Sequence, residues 1–258
     1  MDFVQRGDVQ AAEREFWAAI RADPRYLPPY RMLADFYVAS EQWTKAADVL
    51  RRLLNIAPRE PHVNCQLAGA EFHLERLQDA EKHARRELVH DNHCGRAHFV
   101  LGRLMIKAQN ERDAVEHLTA TMRLLPDEHD AAIYLAQAHI ENMSLRDGQR
   151  VLGELLKKQP DNPHAHYMLG FCYARNVAEP DHWRKAEESL NEALRLNPNH
   201  SGSHFELGRL YVLRGEWQKA VEHLEAAARL APNYPSTFYN LTQAYRRLHR
   251  TDKARAAG

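Results

Sequence analysis

Leucine returns at a fixed interval along this chain. Leu33, Leu67, Leu101, Leu135 and Leu169 are spaced 34 residues apart, and Leu207 and Leu241 resume the interval after one longer step. A row of small residues keeps the same beat: Ala46, Ala80, Ala114, Gly148, Ala186, Ala220 and Ala254. A third row, Pro24, Pro58, Pro126, Pro160, Pro198 and Pro232, falls at the joints. Self-similarity at such a period means an array of like units, each leaning on its neighbours, so chain length is no guide to the number of domains. One joint lacks its proline: Asn92 stands there, inside VHDNHCGR, without loss of register.

Residues 201–234 are the cleanest copy. His204, Leu207, Gly208 and Tyr211 recur at helical spacing and share one face. Gly215 offers a turn, and Trp217, Ala220, Leu224 and Ala227 mark the apolar face of a second helix. Gly208 and Ala220 let the two backbones approach closely, and Pro232 ends the unit. Each unit is therefore expected to be a helical hairpin. The chain divides into a partial unit over 1–26 (the second helix of a repeat), six tandem units over 27–234 and a truncated final unit over 235–258. The sixth full unit carries four extra residues within 174–185, in ARNVAEPDHWRK, where a longer loop costs little. An array that starts and stops inside a unit reads as a piece of a larger protein or as a self-associating stack with uncapped ends.

The period of 34 with its L-G/A, Y, A and P positions resembles the tetratricopeptide repeat over nearly the whole chain. Trp43, Trp183 and Trp217 add an aromatic early in the second helix. Glu71 and His139 depart from the family's tyrosine, and Thr242 from its small residue, which predicts looser local packing. The resemblance implies an all-α fold, a right-handed α-α superhelix (solenoid) of stacked helical hairpins whose first helices line a concave groove. It also implies a non-enzymatic scaffold or adaptor that binds a peptide segment of a partner in that groove. The family's carboxylate clamp does not carry over, because Arg31, Asp35 and Gln66 occupy its places. Nor does its asparagine ladder, where the row reads Met32, Gln66, Val100, Tyr134, Met168, Glu206 and Asn240.

The groove-facing row reads Arg31, Cys65, Phe99, Ile133, Tyr167, Phe205 and Tyr239, with Phe171 one turn beyond Tyr167. The candidate peptide-binding residues are Phe99, Arg103, Tyr167, Phe171, Phe205, Arg209 and Tyr239. Aromatic rings give contact area at low entropic cost, and the same rings also suit packing between adjacent hairpins; both readings stand. The stripe carries Arg96, Arg103, Lys107, Arg175, Arg209, Arg246 and Arg247 against Asp35, Asp130 and Glu141, while many acids lie on second helices. The expected partner segment therefore combines acidic and apolar residues, although such a charge stripe is equally readable as solvated surface.

Other functions find less support. Lys plus Arg equal Asp plus Glu at 35 each, so no overall field draws nucleic acid or an anionic membrane. No apolar run approaches a membrane span and MDFVQRGDVQ is not a leader, which points to a cytoplasmic protein. Cys65, Cys94 and Cys172 are expected to be free thiols. His90, His93, Cys94 and His98 crowd the proline-less joint, but their spacing matches no established metal site, and His98 shares a row with His166 and His204. This stretch reads as an ordinary joint with no metal ligands, and no cofactor is expected. Phosphate-binding, zinc-protease and nucleophile-elbow motifs are missing from the sequence. Besides the adaptor, the alternatives are the interaction region of a larger enzyme or secretion or assembly system, and a self-associating structural module.

Overall fold

The computed structural model describes residues 9–178, 180–250 and 252–254. Residues 1–8 of the expected N-terminal partial repeat, residue 179 of the expected insertion, and 251 and 255–258 of the expected final repeat lie outside the described residues. Two compact units divide the chain, Met1–Ala131 and Ala132–Gly258. The first holds α1 (Val9–Ala22), α2 (Pro28–Ala39), α3 (Trp43–Ile56), α4 (Val63–His73), α5 (Leu77–His90), α6 (Gly95–Lys107) and α7 (Glu111–Leu124). Helix α8 (His129–Glu141) crosses the division. The second unit continues with α9 (Leu145–Lys158), α10 (Pro163–Arg175), α11 (His182–Leu196), α12 (Ser201–Arg214), α13 (Trp217–Leu230) and α14 (Pro235–Arg247). No strand occurs among the described residues.

Consecutive helices pack as hairpins, α2 with α3, α4 with α5 and α6 with α7 in the first unit, α10 with α11 and α12 with α13 in the second. First helices of successive hairpins also touch: α4 with α6, α10 with α12, and α12 with α14. The turns inside the hairpins share one backbone feature. One residue of each adopts a left-handed backbone, at Glu41, Glu75, Gln109, Met143, Asp181, Gly215 and His249, with φ between 55° and 74°. In six of these turns the next amide reaches back to the carbonyl five residues earlier, as in Gln42 to Tyr37 at 2.8 Å and Glu216 to Tyr211 at 2.9 Å, which closes the end of the helix. The sequence offers a glycine at only one of these places. The other turns hold a side chain in a region that costs about 1 kcal/mol or more, offset by the capping bond and the packed hairpin.

The core is a row of leucines from the second helices seated on small residues of the first. Leu50, Leu118, Leu152, Leu190 and Leu224 are fully buried. A Cβ added at Gly102, Gly170 or Gly208 would meet Leu118, Leu190 or Leu224 at 2.5, 2.6 and 2.5 Å. Glycine is what allows these helices their close approach. A tyrosine near the end of the first helix completes the unit. Tyr37 donates to Glu13 and Tyr211 to Glu187 at 2.7 Å, while Lys45 and Lys219 lie over the same rings at 5.1 and 5.2 Å. Lys185 sits likewise over Tyr173 despite the insertion, at 5.5 Å. At Glu71 the expected loosening gives way to a different solution. This carboxylate is wholly buried and pairs with Arg51 and Arg76. An ion pair held by two guanidiniums occupies the place of the tyrosine.

Histidines knit the joints. Nε2 of His166 and His204 lies 2.8 and 3.0 Å from the carbonyls of Pro160 and Pro198, and His98 makes the same bond to Asn92 at 3.2 Å. Asn92 thus holds the place of the missing proline. Nδ1 of His98 is 2.9 Å from Nδ1 of His117, and His204 pairs with His223 at 3.1 Å. If Nε2–H donates to the carbonyl, Nδ1 is left as acceptor and the second ring donates. Burial, followed by the neighbouring imidazole, pushes His117 and His223 below the ordinary histidine value of 6.5. Burial also lowers His73, His83, His139, His164 and His200.

Two outcomes follow from this packing. Gly208→Val should destabilise the protein by about 1–3 kcal/mol, because Leu224 has no room to retreat; urea unfolding of the variant beside the parent measures it. Because the folded histidines have lowered values, their stabilising contribution is complete above the unfolded value of 6.5 and is lost as pH falls through the folded ones. Tyr37 is pushed up to about 12 by burial and by Glu13, so its contribution is complete below its ordinary 10.0 and is lost towards 12. A melting-temperature profile should therefore be flat between these limits and fall on both sides.

Candidate functional site

In the second unit, α10, α12 and the start of α14 wall an open cleft of about 500 Å³. Its lining includes Tyr167, Phe171 and Arg175 from α10, Gly202, Phe205 and Glu206 from α12, and Tyr234 and Thr237 at the entry to α14. These residues meet there because first helices of successive hairpins lie side by side and present the same face. The Tyr167 ring rests on Gly202, where an added Cβ would stand 3.0 Å from it. Phe171 meets Tyr167 edge-on at 6.3 Å, and Tyr234 stands perpendicular to Phe205 at 5.0 Å. Rings from α10, α12 and the joint before α14 thus form one wall of the cleft.

A charged bridge crosses this wall. Arg175 grips the Glu206 carboxylate with both terminal nitrogens, at 3.1 and 3.0 Å, and its guanidinium carbon lies over Phe171, 3.3 Å from the ring centroid. Arg209, one turn along α12, donates to the same carboxylate from Nε at 3.0 Å. Its Nη2 is 2.9 Å from that oxygen yet makes no aligned hydrogen bond. Glu206 is only 3% exposed. A buried carboxylate is stable here because two guanidiniums satisfy it and a two-pronged contact fixes its geometry. Two cations against one anion leave the cluster with one net positive charge.

The sequence-derived candidates separate on this geometry. Tyr167, Phe171 and Phe205 line the cleft, and Arg209 supports it through Glu206. Phe205 is 9% exposed, so most of its ring packs between hairpins and a small part faces the cleft. Tyr239 is 73% exposed and lies elsewhere, on a face of α14 with Phe238, Thr242 and Arg246. It follows Thr237, which is buried, by two residues, or about 200° of helical rotation. Phe99 and Arg103 belong to the first unit, where the Arg103 guanidinium lies over Phe72 at 4.1 Å and Phe99 at 5.4 Å. Sequence reasoning missed Glu206 and Tyr234 as site residues. Glu206 was visible as an acid in a row otherwise uncharged, but its partner on α10 is 31 positions away. Tyr234 follows the joint proline, outside either helical stripe.

Comparison with known proteins bears on the same architecture. A family model for the tetratricopeptide repeat matches residues 3–70 and 105–170, and a second model of the same description matches 179–235. The chain belongs to the tetratricopeptide repeat family. The tetratricopeptide repeat-containing protein trd-1 of Caenorhabditis elegans is 24% identical over 166 residues, covering 64% of this chain and 20% of its own length. The present chain thus spans about a fifth of that curated relative. Two solved tetratricopeptide repeat-type folds are similar in backbone alone: YrrB, at 15% identity and a TM-score of 0.64, covering 75% of this chain and 98% of its own, and Pseudomonas aeruginosa pilF, at 15% identity and 0.66, covering 83% and 94%. The tetratricopeptide repeat fold is in general a protein–protein interaction scaffold, and its proteins are generally non-enzymatic. Among the described residues no helix is long and apolar enough to cross a membrane.

Removing the bridge should be felt in folding. Arg175→Met deletes two charge-assisted bonds to a buried carboxylate, at a cost of about 1.5–3 kcal/mol, tempered by Arg209. Thermal unfolding of the variant, with Arg184→Met on the exposed α11 surface as control, checks this; the control should shift little.

Proposed function

We propose that this tetratricopeptide repeat chain is a non-enzymatic adaptor whose α10–α12–α14 cleft holds an extended peptide segment of a partner protein. The observation that carries this reading is the aromatic wall bridged by Arg175, Glu206 and Arg209. Tyr167, Phe171 and Tyr234 offer flat apolar surface already fixed by neighbouring rings, so little side-chain freedom is lost on binding. The bridge leaves one positive charge beside these rings, which favours a ligand with a carboxylate next to apolar side chains. Because Glu206 is satisfied internally, the cluster attracts an anion without the cost of exposing a buried unpaired charge. The fold neighbour YrrB, described as a TPR protein with an unusual peptide-binding site, supports a peptide ligand by likeness of fold.

The test is an array of immobilised peptides in which charge and apolar content vary independently, probed with the purified chain and with Tyr167→Ala. Peptides combining acidic and apolar residues should be retained preferentially. Their affinity should fall about tenfold in the variant, the equivalent of roughly 1.4 kcal/mol for one aromatic contact at a binding centre. Preference for basic peptides, or equal binding by the variant, would remove the cleft as the site.

A further inference from the structure

The joint without a proline gathers a different set of ligating groups from the one its sequence displays. His98 is committed to Asn92 and His117, and His90 is exposed at the end of α5. Cys94, the residue that opens α6, instead faces back towards α4 and α5. A sulfur of Cys94, a carboxylate oxygen of Glu87 and a ring nitrogen of His62 lie within 4.8 Å of one another. Cys65, on the first turn of α4, is buried and lines the same cleft as His62 and Cys94. A thiol, an imidazole and a carboxylate are thus drawn from the ends of three helices to one point.

Three further observations fit a ligand at that point. Glu87 is 4% exposed, a carboxylate set into the joint and facing His62, whose backbone N–H lies 3.1 Å and whose Nδ1 lies 3.6 Å from Oε1. His62 has a left-handed backbone, φ 62°, and among the described residues it is the one such position outside the hairpin turns. That conformation aims its N–H at Glu87. The cluster also has an opening, since His62, Cys65 and Cys94 line a cleft of about 400 Å³ with Asp91, His93 and Arg96. The Ala97 N–H is taken by the Cys94 carbonyl at 3.1 Å, and the Cys94 side chain makes no capping bond to α6. Gly95 is held by the close approach of Leu125, 2.7 Å from where its Cβ would stand, so the backbone beside Cys94 is fixed.

We propose that His62, Glu87 and Cys94 form a binding site for a zinc-class divalent cation, with solvent in the fourth position. Sulfur and imidazole donors select a borderline-soft metal over magnesium or calcium, and three such donors with one solvent molecule suit tetrahedral geometry. Bonds of about 2.0–2.3 Å place tetrahedral donors roughly 3.3–3.8 Å apart, so the His62–Glu87 pair, at 3.6 Å, is already at the required spacing and the Cys94 sulfur, within 4.8 Å of both, needs a contraction of about 1 Å at most. The exposed His62 ring is free to swing for this. On binding, the Cys94 thiol gives its proton to solvent and the metal takes the sulfur lone pair; no oxidation occurs. The bound ion would join α4, α5 and α6, fastening one hairpin to the next at the joint that lacks the stiffening proline.

The experiment uses the full chain, free of any histidine tag and kept reduced, titrated with Co²⁺ as a spectroscopic probe and with Zn²⁺ in thermal unfolding. One Co²⁺ per chain should bind with a thiolate-to-cobalt charge-transfer band and tetrahedral visible bands. Cys94→Ser should abolish the charge-transfer band, and His62→Ala, which alters an exposed side chain and leaves the packing intact, should weaken binding at least tenfold. Cys172→Ser, in the other unit, should leave the spectrum unchanged. Zn²⁺ should raise the melting temperature of the parent by about 5 °C or more and leave that of His62→Ala unmoved. A reduced parent without the charge-transfer band, or a band that persists at equal affinity in His62→Ala, would overturn the site.

Discussion

The seat of a leucine on a glycine sets the spacing of the α6–α7, α10–α11 and α12–α13 hairpins. Leu118 against Gly102, Leu190 against Gly170 and Leu224 against Gly208 bring first and second helices into close approach. Dispersion and the removal of apolar surface from water act over this short distance, and both weaken steeply once a gap opens. The tyrosine that reaches the preceding second helix, Tyr211 to Glu187, then sets the angle of the next hairpin. From those two contacts follows the placement of first helices side by side, and from that placement the cleft.

Polar groups inside such a stack need partners, and the chain meets this need in more than one way. Tyrosines bond glutamates, histidines bond joint carbonyls, and Glu71 and Glu206 each take two arginines. The last two look alike but do different things. Glu71 ties α4 back to α3 of the preceding hairpin through Arg51, whereas Glu206 connects the first helices α10 and α12 across the cleft wall. A charge buried with two partners is geometrically demanding, because losing either partner leaves desolvated charge behind. That demand is what makes the cleft wall a fixed surface.

Much of the fold was legible in the residues themselves. The leucine, small-residue and proline rows located the hairpins, and Gly215 announced its turn. The other six turns gave no such signal, because Glu41, Glu75, Gln109, Met143, Asp181 and His249 accept a left-handed backbone only once the hairpin is packed. For the site, helical spacing picked out Tyr167, Phe171 and Phe205 as sharing a face. It could not separate Tyr239 from them, since a stripe drawn on repeats carries no information about which rings the next hairpin covers. Nor could it find Tyr234, which belongs to a joint, or the approach of His62 to Glu87 and Cys94, whose positions in sequence are 25 and 32 residues apart.

By itself, then, the sequence determined the repeat, the hairpin and the family, because a periodic demand for burial is written in residue type and spacing alone. Tertiary structure decided which groups meet: Arg175 with Glu206, Tyr234 with Phe205, Cys94 with His62 and Glu87. The physical reason is range. Apolar periodicity reports an average preference for the inside of a helix pair, while a site depends on a few side chains brought within a few ångströms by helices that the chain leaves and returns to.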